Sequence, residues 1–287
     1  MTPTEDILLR YSHRGMTDLR GYLPADYCRR AAAAILSWRR GTVLLTTGFY
    51  VAGHAETDGP AGTLVLALAL AGLGFDPVVV TDGYCRGFFE PEGLAAVYMD
   101  PAAGEADYRA LLDRFQPAGL ISVERCGANI EDDYANMRGV SIRAHSARVD
   151  LLFDLARGRI PTVGVGDGGN EIGMGNLKDP IREKLALTPC RVPVDHLVIA
   201  TVSNWGAYGL AACLERLSGR ALLPDFGRVR AFLDRTVAMG SVDGVSGQPS
   251  GTVDGFAPEV EEEIFGDLRA CARAEAAPQR NGTRNAA

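Results

Sequence analysis

Acidic and amide side chains are concentrated among the glycines of GDGGNEIGMG, residues 166–175. This stretch follows IPTVGV, an apolar run that predicts a buried strand. Glycines let a backbone approach a ligand closely, and the carboxyl groups of Asp167 and Glu171 could act as general acid and base. Asn170 could hydrogen-bond to a reacting oxygen. The stretch therefore predicts acid–base chemistry on a small ligand.

Three further stretches of mixed polar residues follow predicted strands in the same way. Because ligands bind outside the carboxyl ends of parallel strands, we expect the four stretches to meet in one pocket. The additional candidates are Glu56, Asp58, Glu124, Arg125, Asn136, Arg138, Ser203 and Asn204. A structural interpretation stays open for several of them. Glu56 and Asp58 could instead cap the helix that begins at Pro60, and Arg125 and Arg138 could hold an acidic loop by ion pairs.

Two other features add backbone and loop candidates. A helix beginning after Gly169 would leave the amides of Gly168 and Gly169 free as a seat for a carboxylate. The tripeptide VDG occurs twice, at 242–244 and 253–255, on either side of a glycine-rich segment. Loops of this kind are often functional, so Asp243 and Asp254 are also candidates.

The common cofactor motifs are absent from the sequence. GDGGNEIGMG lacks the G-x-G-x-x-G spacing of a dinucleotide site, and no P-loop, zinc framework or G-x-S-x-G elbow occurs. The chain has 4 histidines against 36 acidic residues. If a metal is used, this ratio favours a hard cation such as Mg²⁺ or Mn²⁺, which takes oxygen ligands. These patterns require no cofactor.

Composition and charge exclude several classes of protein. The net charge of −7 argues against nonspecific nucleic-acid binding, which needs a basic face. The longest apolar run, which begins at Thr63, is shorter than the roughly 20 residues of a membrane-spanning helix. The 6 cysteines are scattered without a C-x-x-C pair, and the acidic start does not resemble a signal peptide. We therefore expect a cytoplasmic protein with reduced thiols.

Short apolar runs alternate with longer amphipathic stretches, which is typical of βαβ units. Strands are predicted at residues 43–47, 78–81, 96–99, 120–124, 162–165 and 197–201. Helices are predicted at residues 24–39, 60–72, 105–115, 146–156, 207–217, 226–239 and 258–276. We expect one α/β domain over residues 1–276, with a doubly wound, mostly parallel sheet and helices on both faces. A disordered polar tail is predicted at 277–287.

Five segments resemble, in order, the D-glutamate cyclase family. They are ETDGP, ERCGANIEDDYANMRG, VGVGDGGNEIGMG, SNWGAYGL and TVDGF, and the resemblance runs from about Gly48 to Phe256. It implies a lyase, an ATP-independent hydro-lyase that interconverts D-glutamate and 5-oxo-D-proline. The substrate would be a small carboxylate-bearing amino acid or its lactam. The resemblance does not assign catalytic residues, and homo-oligomerisation stays open.

A hypothesis for this reaction gives eight of the polar candidates a part, since lactam formation needs a base, an acid and oxyanion donors. Glu171 and Asp167 would act as base or acid, and Asn170 and Asn204 would contact the oxyanion. Arg125 and Arg138 would bind the α-carboxylate. Glu56 and Asp58 would bind the ammonium group or, together with Asp167, a divalent cation.

Two residues depart from the family pattern. Members usually have E-R-P-G-R where this chain has ERCGA, so Cys126 replaces a proline and Ala128 an arginine. The loss of an arginine near the site would change which anionic group is held there. Two alternatives therefore stay open. One is a related lyase, dehydratase or cyclase acting on a different or modified amino acid, and the other is a non-catalytic protein that binds an acidic metabolite.

Overall fold

Six parallel strands form one sheet at the centre of the computed structural model, which describes residues 3–185 and 187–274. In chain order the strands are β1 (Thr42–Thr46), β2 (Tyr50–Val51), β3 (His54–Ala55), β4 (Asp76–Asp82), β5 (Ala95–Met99), β6 (Gly119–Val123), β7 (Thr162–Gly166) and β8 (His196–Ile199). The six-stranded sheet has the order β5-β4-β1-β6-β7-β8, and β2 and β3 form a separate antiparallel hairpin. Every pairing in the larger sheet is parallel, as predicted.

Helices surround this sheet and connect its strands. Among the described residues they are α1 (Thr4–Leu8), α2 (Met16–Leu19), α3 (Tyr27–Ser37), α4 (Pro60–Gly72), α5 (Glu105–Phe115), α6 (Asp150–Ala156), α7 (Lys178–Lys184), α8 (Ser203–Ser218), α9 (Phe226–Ala238) and α10 (Pro258–Ala274). Short 3-10 helices occupy Arg20–Tyr22, Gly83–Cys85, Glu90–Glu92 and Gly175–Leu177.

The chain winds outward from β1 in both directions, which makes the fold doubly wound. The helix α4 connects β1 to β4, whereas α5 and α6 connect β5, β6 and β7 in the opposite direction along the sheet. Because such crossovers are right-handed, α4 covers one face, and α5 and α6 cover the other. The direction reverses between β1 and β6, and ligands of open α/β sheets bind at the carboxyl ends of strands beside such a reversal.

Burial explains why the strand sequences are apolar throughout. Every residue of β6 and of β7 is buried, as are four of the five residues of β1. Strands covered on both faces have no solvent-facing side to make polar. The helix α4, with the sequence PAGTLVLALALAG, is similarly buried because α8 and α9 pack against it.

The predicted elements are present, with their ends shifted by a few residues. Each predicted strand lies within two residues of its expected bounds, and α4 and α5 have the expected bounds. The expectation of a helix directly after Gly169 is wrong, because the next α-helix begins at Lys178. The expected domain limit at residue 276 and the tail at 277–287 lie outside the described residues.

Among the helices of the described residues, none is both long and apolar enough to span a membrane.

Candidate active site

A cavity of about 610 Å³ opens at the carboxyl ends of the central strands. Its wall is made by residues that follow β1, β6 and β7, and by two loops, 134–145 and 243–254, which we call the β6–α6 loop and the α9–α10 loop. Eight of the predicted candidates line it: Glu56, Glu124, Asn136, Arg138, Asp167, Asn170, Glu171 and Asp254. Three of the four predicted strand ends thus contribute directly to one pocket.

Asp58 and Asn204 lie behind the cavity, where they cap two helices reciprocally. The Asp58 carboxylate accepts hydrogen bonds from the amides of Ser203 and Asn204, at 2.9 and 2.7 Å, at the N-terminus of α8. The Asn204 side-chain oxygen accepts from the amides of Gly59 and Gly62, at 3.0 and 2.7 Å, at the N-terminus of α4. Asp58 therefore caps α8 rather than only the helix that follows it. Asn204 does not line the cavity, so the structure does not support its expected oxyanion contact.

Arg125 points away from the cavity and into the protein. Its side chain is 1% exposed and pairs with Asp82 at 2.7 Å. The same guanidinium donates to the carbonyl oxygens of Gly48 and Ala147. These partners join the ends of β1, β4 and β6 to the segment before α6. The structure does not support the expected binding of an α-carboxylate by Arg125, because both terminal nitrogens of its guanidinium are already paired and Arg125 does not line the cavity.

The glycine amides of GDGGNEIGMG hold a carboxylate, but it is one from the same stretch. The amides of Gly168 and Gly169 each donate to one oxygen of Glu171, both at 2.8 Å. They are therefore not free for a ligand, and the chain turns back here instead of entering a helix. Gly169 has a φ of +113°, which side chains rarely adopt. This turn aims the Glu171 carboxylate at the cavity with both of its oxygens fixed.

The other candidates in the two cavity loops are Asp243, Asn136 and Arg138, of which Asp243 supports its loop and the other two line the cavity. Asp243 accepts hydrogen bonds from the amides of Val245, Ser246 and Gly255, so it shapes the α9–α10 loop without lining the cavity. Asn136 accepts from two amides of its own turn in the β6–α6 loop. Arg138 is exposed at the cavity mouth, and its side chain pairs with no described residue.

Six carboxyl groups are buried around the inner end of the cavity: Glu56, Asp58, Glu124, Asp167, Glu171 and Asp254. Burial is the main reason that the pKa of each is raised, because a carboxylate loses its hydration away from water. Neighbouring carboxylates raise the pKa of most of them further. The pKa values of Asp58 and Asp254 rise to about 8. Near neutral pH Asp58 and Asp254 therefore keep their protons.

Arg14 supplies a positive charge to this acidic cluster. Its guanidinium pairs with Asp167 at 2.9 Å and with Asp254 at 2.8 Å, and its side chain is 17% exposed. Burial alone would lower the pKa of Arg14, but the two carboxylates raise it. One guanidinium cannot neutralise six carboxylates, so protons or a further cation must balance the remaining charge.

Two of the cluster acids have backbone conformations that are unusual for residues other than glycine. Glu124 has a φ of +46° and Asp254 a φ of +51°, both in the left-handed region. Such conformations are costly and persist where the surrounding structure enforces them. The hydroxyl of Ser203 donates to Glu124 at 2.6 Å and so fixes its side chain. Ser203 thereby acts on the site through Glu124.

Two buried oxygen atoms at the cavity lack hydrogen-bond partners among the described residues. They are Oδ1 of Asn170 and Oδ2 of Asp254. The amide nitrogen of Asn170 donates to the carbonyl of Ala135 at 2.8 Å, which fixes the side-chain orientation. The atom that Asn170 offers to a ligand is therefore an acceptor, not the oxyanion donor expected from the sequence. Buried polar atoms are rarely left unpaired, so both oxygens point to a ligand. Oδ1 of Asn170 suits a ligand N–H group, whereas Oδ2 of Asp254 suits a ligand oxygen when it is protonated and a positive charge when it is ionised.

Carboxylate oxygens from these acids approach one another closely enough to share a cation. Within the described part of the chain, two such groups lie in the cavity region, Asp58 with Asp167 and Asp254, and Glu124 with Asp167 and Glu171. The ligand atoms of each group lie within 4.8 Å of one another. An all-oxygen donor set suits Mg²⁺ or Mn²⁺. Of the expected ligands, Asp167 and Asp58 belong to these groups, and Glu56 lies in the same cluster but in neither group.

Cys126 and Ala128, which depart from the resembled pattern, lie beneath the cavity wall. Both are buried in a small apolar cluster with Phe49, Tyr134 and Ile142. Of this cluster, Phe49 and Ile142 line the cavity, whereas Cys126 and Ala128 do not. In this chain Cys126 and Ala128 therefore contribute apolar packing behind the wall of the cavity.

Sequence reasoning missed Arg14 and His145, which both line the cavity. Arg14 lies between α1 and α2, and no strand precedes it, so its local sequence carries no signal of a site. His145 stacks on Tyr50 with ring centroids 4.3 Å apart. The strand-end rule does not mark His145 either, because it lies far along the β6–α6 loop.

Comparison with known proteins gives two matches. A family model described as D-glutamate cyclase-like, C-terminal, matches residues 6–269. The mitochondrial D-glutamate cyclase of Homo sapiens is 32% identical over an alignment of 201 residues, and the match covers 60% of this chain and 32% of that protein. The chain thus spans about a third of the length of this curated relative.

Proposed function

This chain belongs to the D-glutamate cyclase-like family, and we propose that it is a hydro-lyase that closes an acidic amino acid to its lactam. The reaction we propose interconverts D-glutamate with 5-oxo-D-proline and water, without ATP. A related cyclase or lyase function follows from family membership. The particular substrate is part of the proposal, because the human relative shares about a third of its length with this chain.

The acidic cluster is the observation that carries this proposal. Lactam closure requires one group to accept a proton from the α-ammonium and another to give a proton to the departing oxygen. Carboxyl groups whose environments push their pKa values apart can do both at one pH. Carboxylate oxygens of Asp58, Asp167 and Asp254 lie within 4.8 Å of one another, which is close enough for a proton to pass between neighbouring carboxyl groups. A protein that merely binds an anion has no use for such a cluster.

We assign the base to Glu171 and the acid to Asp254. The two glycine amides that hold Glu171 oppose the effect of burial on its pKa, so they favour its ionised form. The pKa of Asp254 is about 8, and its Oδ2 has no described partner. Asp254 therefore holds a proton near neutral pH and can give it to a ligand oxygen. Asp167, which pairs with Arg14, lies between Glu171 and Asp254. It can therefore pass the proton that Glu171 accepts to Asp254.

Binding of the substrate divides between the inner cluster and the mouth of the cavity. The ammonium group fits beside Glu56, Glu124 and the acceptor oxygen of Asn170, because all three favour positive charge or N–H donors. Arg138 at the mouth is suited to a carboxylate. Holding both ends keeps the chain bent, so that the amine and the γ-carbonyl meet.

A divalent cation is compatible with the same cluster. Asp58, Asp167 and Asp254, or Glu124, Asp167 and Glu171, would hold it. The unpartnered Oδ2 of Asp254 fits this donor set. A bound cation would polarise a carbonyl oxygen as a Lewis acid.

The test replaces Glu171 by glutamine and Asp254 by asparagine. We expect each change to lower kcat for conversion of 5-oxo-D-proline to D-glutamate, without ATP, by about 10²–10⁴-fold, since each removes one proton-transfer group. Glu261→Gln is the matched control, because Glu261 is equally buried but bonds to Trp205 and Tyr208 outside the cavity.

The expected pattern is loss of turnover in the two cavity variants, with circular dichroism unchanged, and retained turnover in the control. If both cavity variants fold and turn over like the unmodified protein, the assigned roles are wrong. Absence of turnover in the unmodified protein with every tested enantiomer of glutamate and 5-oxoproline, with and without Mg²⁺ or Mn²⁺, would refute the function itself.

A further inference from the structure

The cavity is larger than the substrate of the proposed function needs. Its volume is about 610 Å³, and a water molecule occupies roughly 30 Å³ in the liquid. On that scale the cavity holds about twenty water-sized atoms. Glutamate has about ten non-hydrogen atoms, so it would fill at most about half of this space.

The part of the wall away from the carboxyl groups, which we call the outer half, is richer in apolar side chains. Phe49, Val51 and Ile142 line the cavity there, together with the polar residues Asn136, Arg138, Ser141 and Ser246. Glutamate carries charged groups at both ends and a short apolar middle. It therefore matches the inner half of the cavity and leaves the outer half without a partner.

Large apolar side chains on the rim of this outer half are exposed to water. Met137 is 42% exposed, Val140 57% and Val245 49%, and all three line the cavity. Exposed apolar side chains gathered around a concave site mark a place where a ligand buries them. These three side chains continue the wall of the same cavity. The ligand group that covers them is therefore expected to belong to the molecule that binds in the inner half.

One side of the outer half is a rigid aromatic surface. The rings of Tyr50 and His145 are stacked, 4.3 Å apart and 6° from parallel. The hydroxyl of Tyr84 hydrogen-bonds with Nδ1 of His145 at 3.0 Å, which holds the imidazole in place. Flat, fixed rings at a cavity wall suit an aromatic or aliphatic group of a ligand.

The point of attachment follows from the chemistry of ring closure. The α-amine and the γ-carbonyl must both reach the inner acids, so the α-carboxyl is the part of glutamate that can extend outward. Both terminal nitrogens of Arg14 are already paired with Asp167 and Asp254. A free α-carboxylate would be repelled by the buried acids and would have the exposed Arg138 at the mouth as its counter-charge, whereas an uncharged amide or ester meets no such repulsion.

We infer that the preferred substrate is a glutamyl compound, or its 5-oxoprolyl lactam, whose α-carboxyl is joined through an amide or ester to an apolar group. This inference rests on the proposed function and specifies its substrate class. Ring closure forms the bond from the α-nitrogen to the γ-carbon. The γ-carboxylate loses one oxygen, which leaves as water with two protons from the ammonium, and the α-amide or ester stays intact.

The experiment compares three pairs of compounds, in both enantiomers. They are glutamate with 5-oxoproline, the unsubstituted α-carboxamides of both, and the α-anilides of both. The carboxamides separate the loss of charge from the gain of an apolar group. We expect kcat/KM for the anilides to exceed that for the carboxamides by about tenfold or more, as apolar groups in a fitted pocket do. Equal values for anilide and carboxamide would overturn the inference.

Variants of the rim test where the apolar group binds. Val140→Ser and Val245→Ser should each lower the ratio of anilide to carboxamide kcat/KM by about fivefold. Leu217→Ser is the matched control, because Leu217 is 39% exposed on α8 and does not line the cavity. It should leave the ratio unchanged. An unchanged ratio in both rim variants would contradict the inference.

Calorimetry separates failure of the inference from failure of the proposed function. If no compound is turned over, the proposed function fails. The part of the inference that assigns an apolar group to the outer half is then tested by binding, and it stands if the anilide of 5-oxoproline binds about tenfold more tightly than the carboxamide. If instead the rim residues cover each other in a dimer, seen by sedimentation and dissociated by Val140→Ser, the inference is wrong.

Discussion

Replacement of Arg14 by glutamine tests the electrostatic account of the acidic cluster most directly. The change removes two ion pairs, to Asp167 and Asp254, whose side chains are 1% and 4% exposed. Breaking a buried ion pair by removing one partner costs about 3–5 kcal/mol, because it leaves a charge buried without compensation. We therefore expect the free energy of unfolding to fall by about 3–5 kcal/mol at pH 8.5, and Tm by about 6–10 °C.

The loss should depend on pH in a defined direction. Without Arg14 the pKa values of Asp167 and Asp254 in the folded state rise further, since Arg14 lowers both. A carboxyl group with a raised folded pKa stabilises the protein below its unfolded pKa and loses that contribution as pH rises through the folded pKa. At pH 6 the two carboxyls can take up protons instead of remaining unpaired. The difference between variant and unmodified protein should therefore be smaller at pH 6 than at pH 8.5.

Urea unfolding at pH 6 and pH 8.5 measures this difference, with Arg10→Gln as the matched control. Arg10 lies four residues away and also forms two ion pairs, to Glu263 and Asp267, but these carboxylates are 45% and 47% exposed. Exposed pairs contribute about 0–1 kcal/mol. If Arg14→Gln loses no more stability than Arg10→Gln at pH 8.5, or loses the same amount at both pH values, the reasoning about the buried cluster is wrong.

Two further predictions concern protons and caps. Asp58 and Asp254 have pKa values near 8 in the folded protein against an ordinary 3.8, so the stability of the metal-free protein should fall as pH rises from about 4 to about 8. Millimolar Mg²⁺ or Mn²⁺ should then raise Tm more at pH 8 than at pH 6, and a flat pH profile with no cation effect would contradict this. Asn204→Ala should lower the free energy of unfolding by about 2–4 kcal/mol, because the amides of Gly59 and Gly62 lose their buried acceptor. Urea unfolding with an unchanged midpoint would show that this cap contributes nothing.

The fold could be predicted closely because its signals are local. Runs of β-branched and apolar residues between amphipathic stretches define a parallel sheet, and Pro60 marks the start of α4 where the structure begins it. The strand-end rule then located seven cavity residues, because the carboxyl ends of parallel strands meet at one edge whatever the loops do.

What could not be predicted depends on contacts between distant parts of the chain and on side-chain direction. Arg125 directly follows the cavity acid Glu124, and the left-handed φ of Glu124 helps to send the two side chains to different sides of the backbone. The exchange of caps between Asp58 and Asn204 joins residues 146 positions apart. Arg14 reaches the cluster from a segment that precedes the sheet entirely.

The left-handed backbone of Glu124 and Asp254 also bears on how this protein would respond to laboratory evolution. Both residues combine a costly conformation with a buried carboxyl group. Glycine at either position would relieve the conformation, and an uncharged side chain would relieve the repulsion. A selection for thermostability alone would therefore favour the loss of these two acids, and with them the chemistry proposed for the cluster. Any library built for heat resistance should hold both positions fixed and seek its gains on the far edge of the sheet.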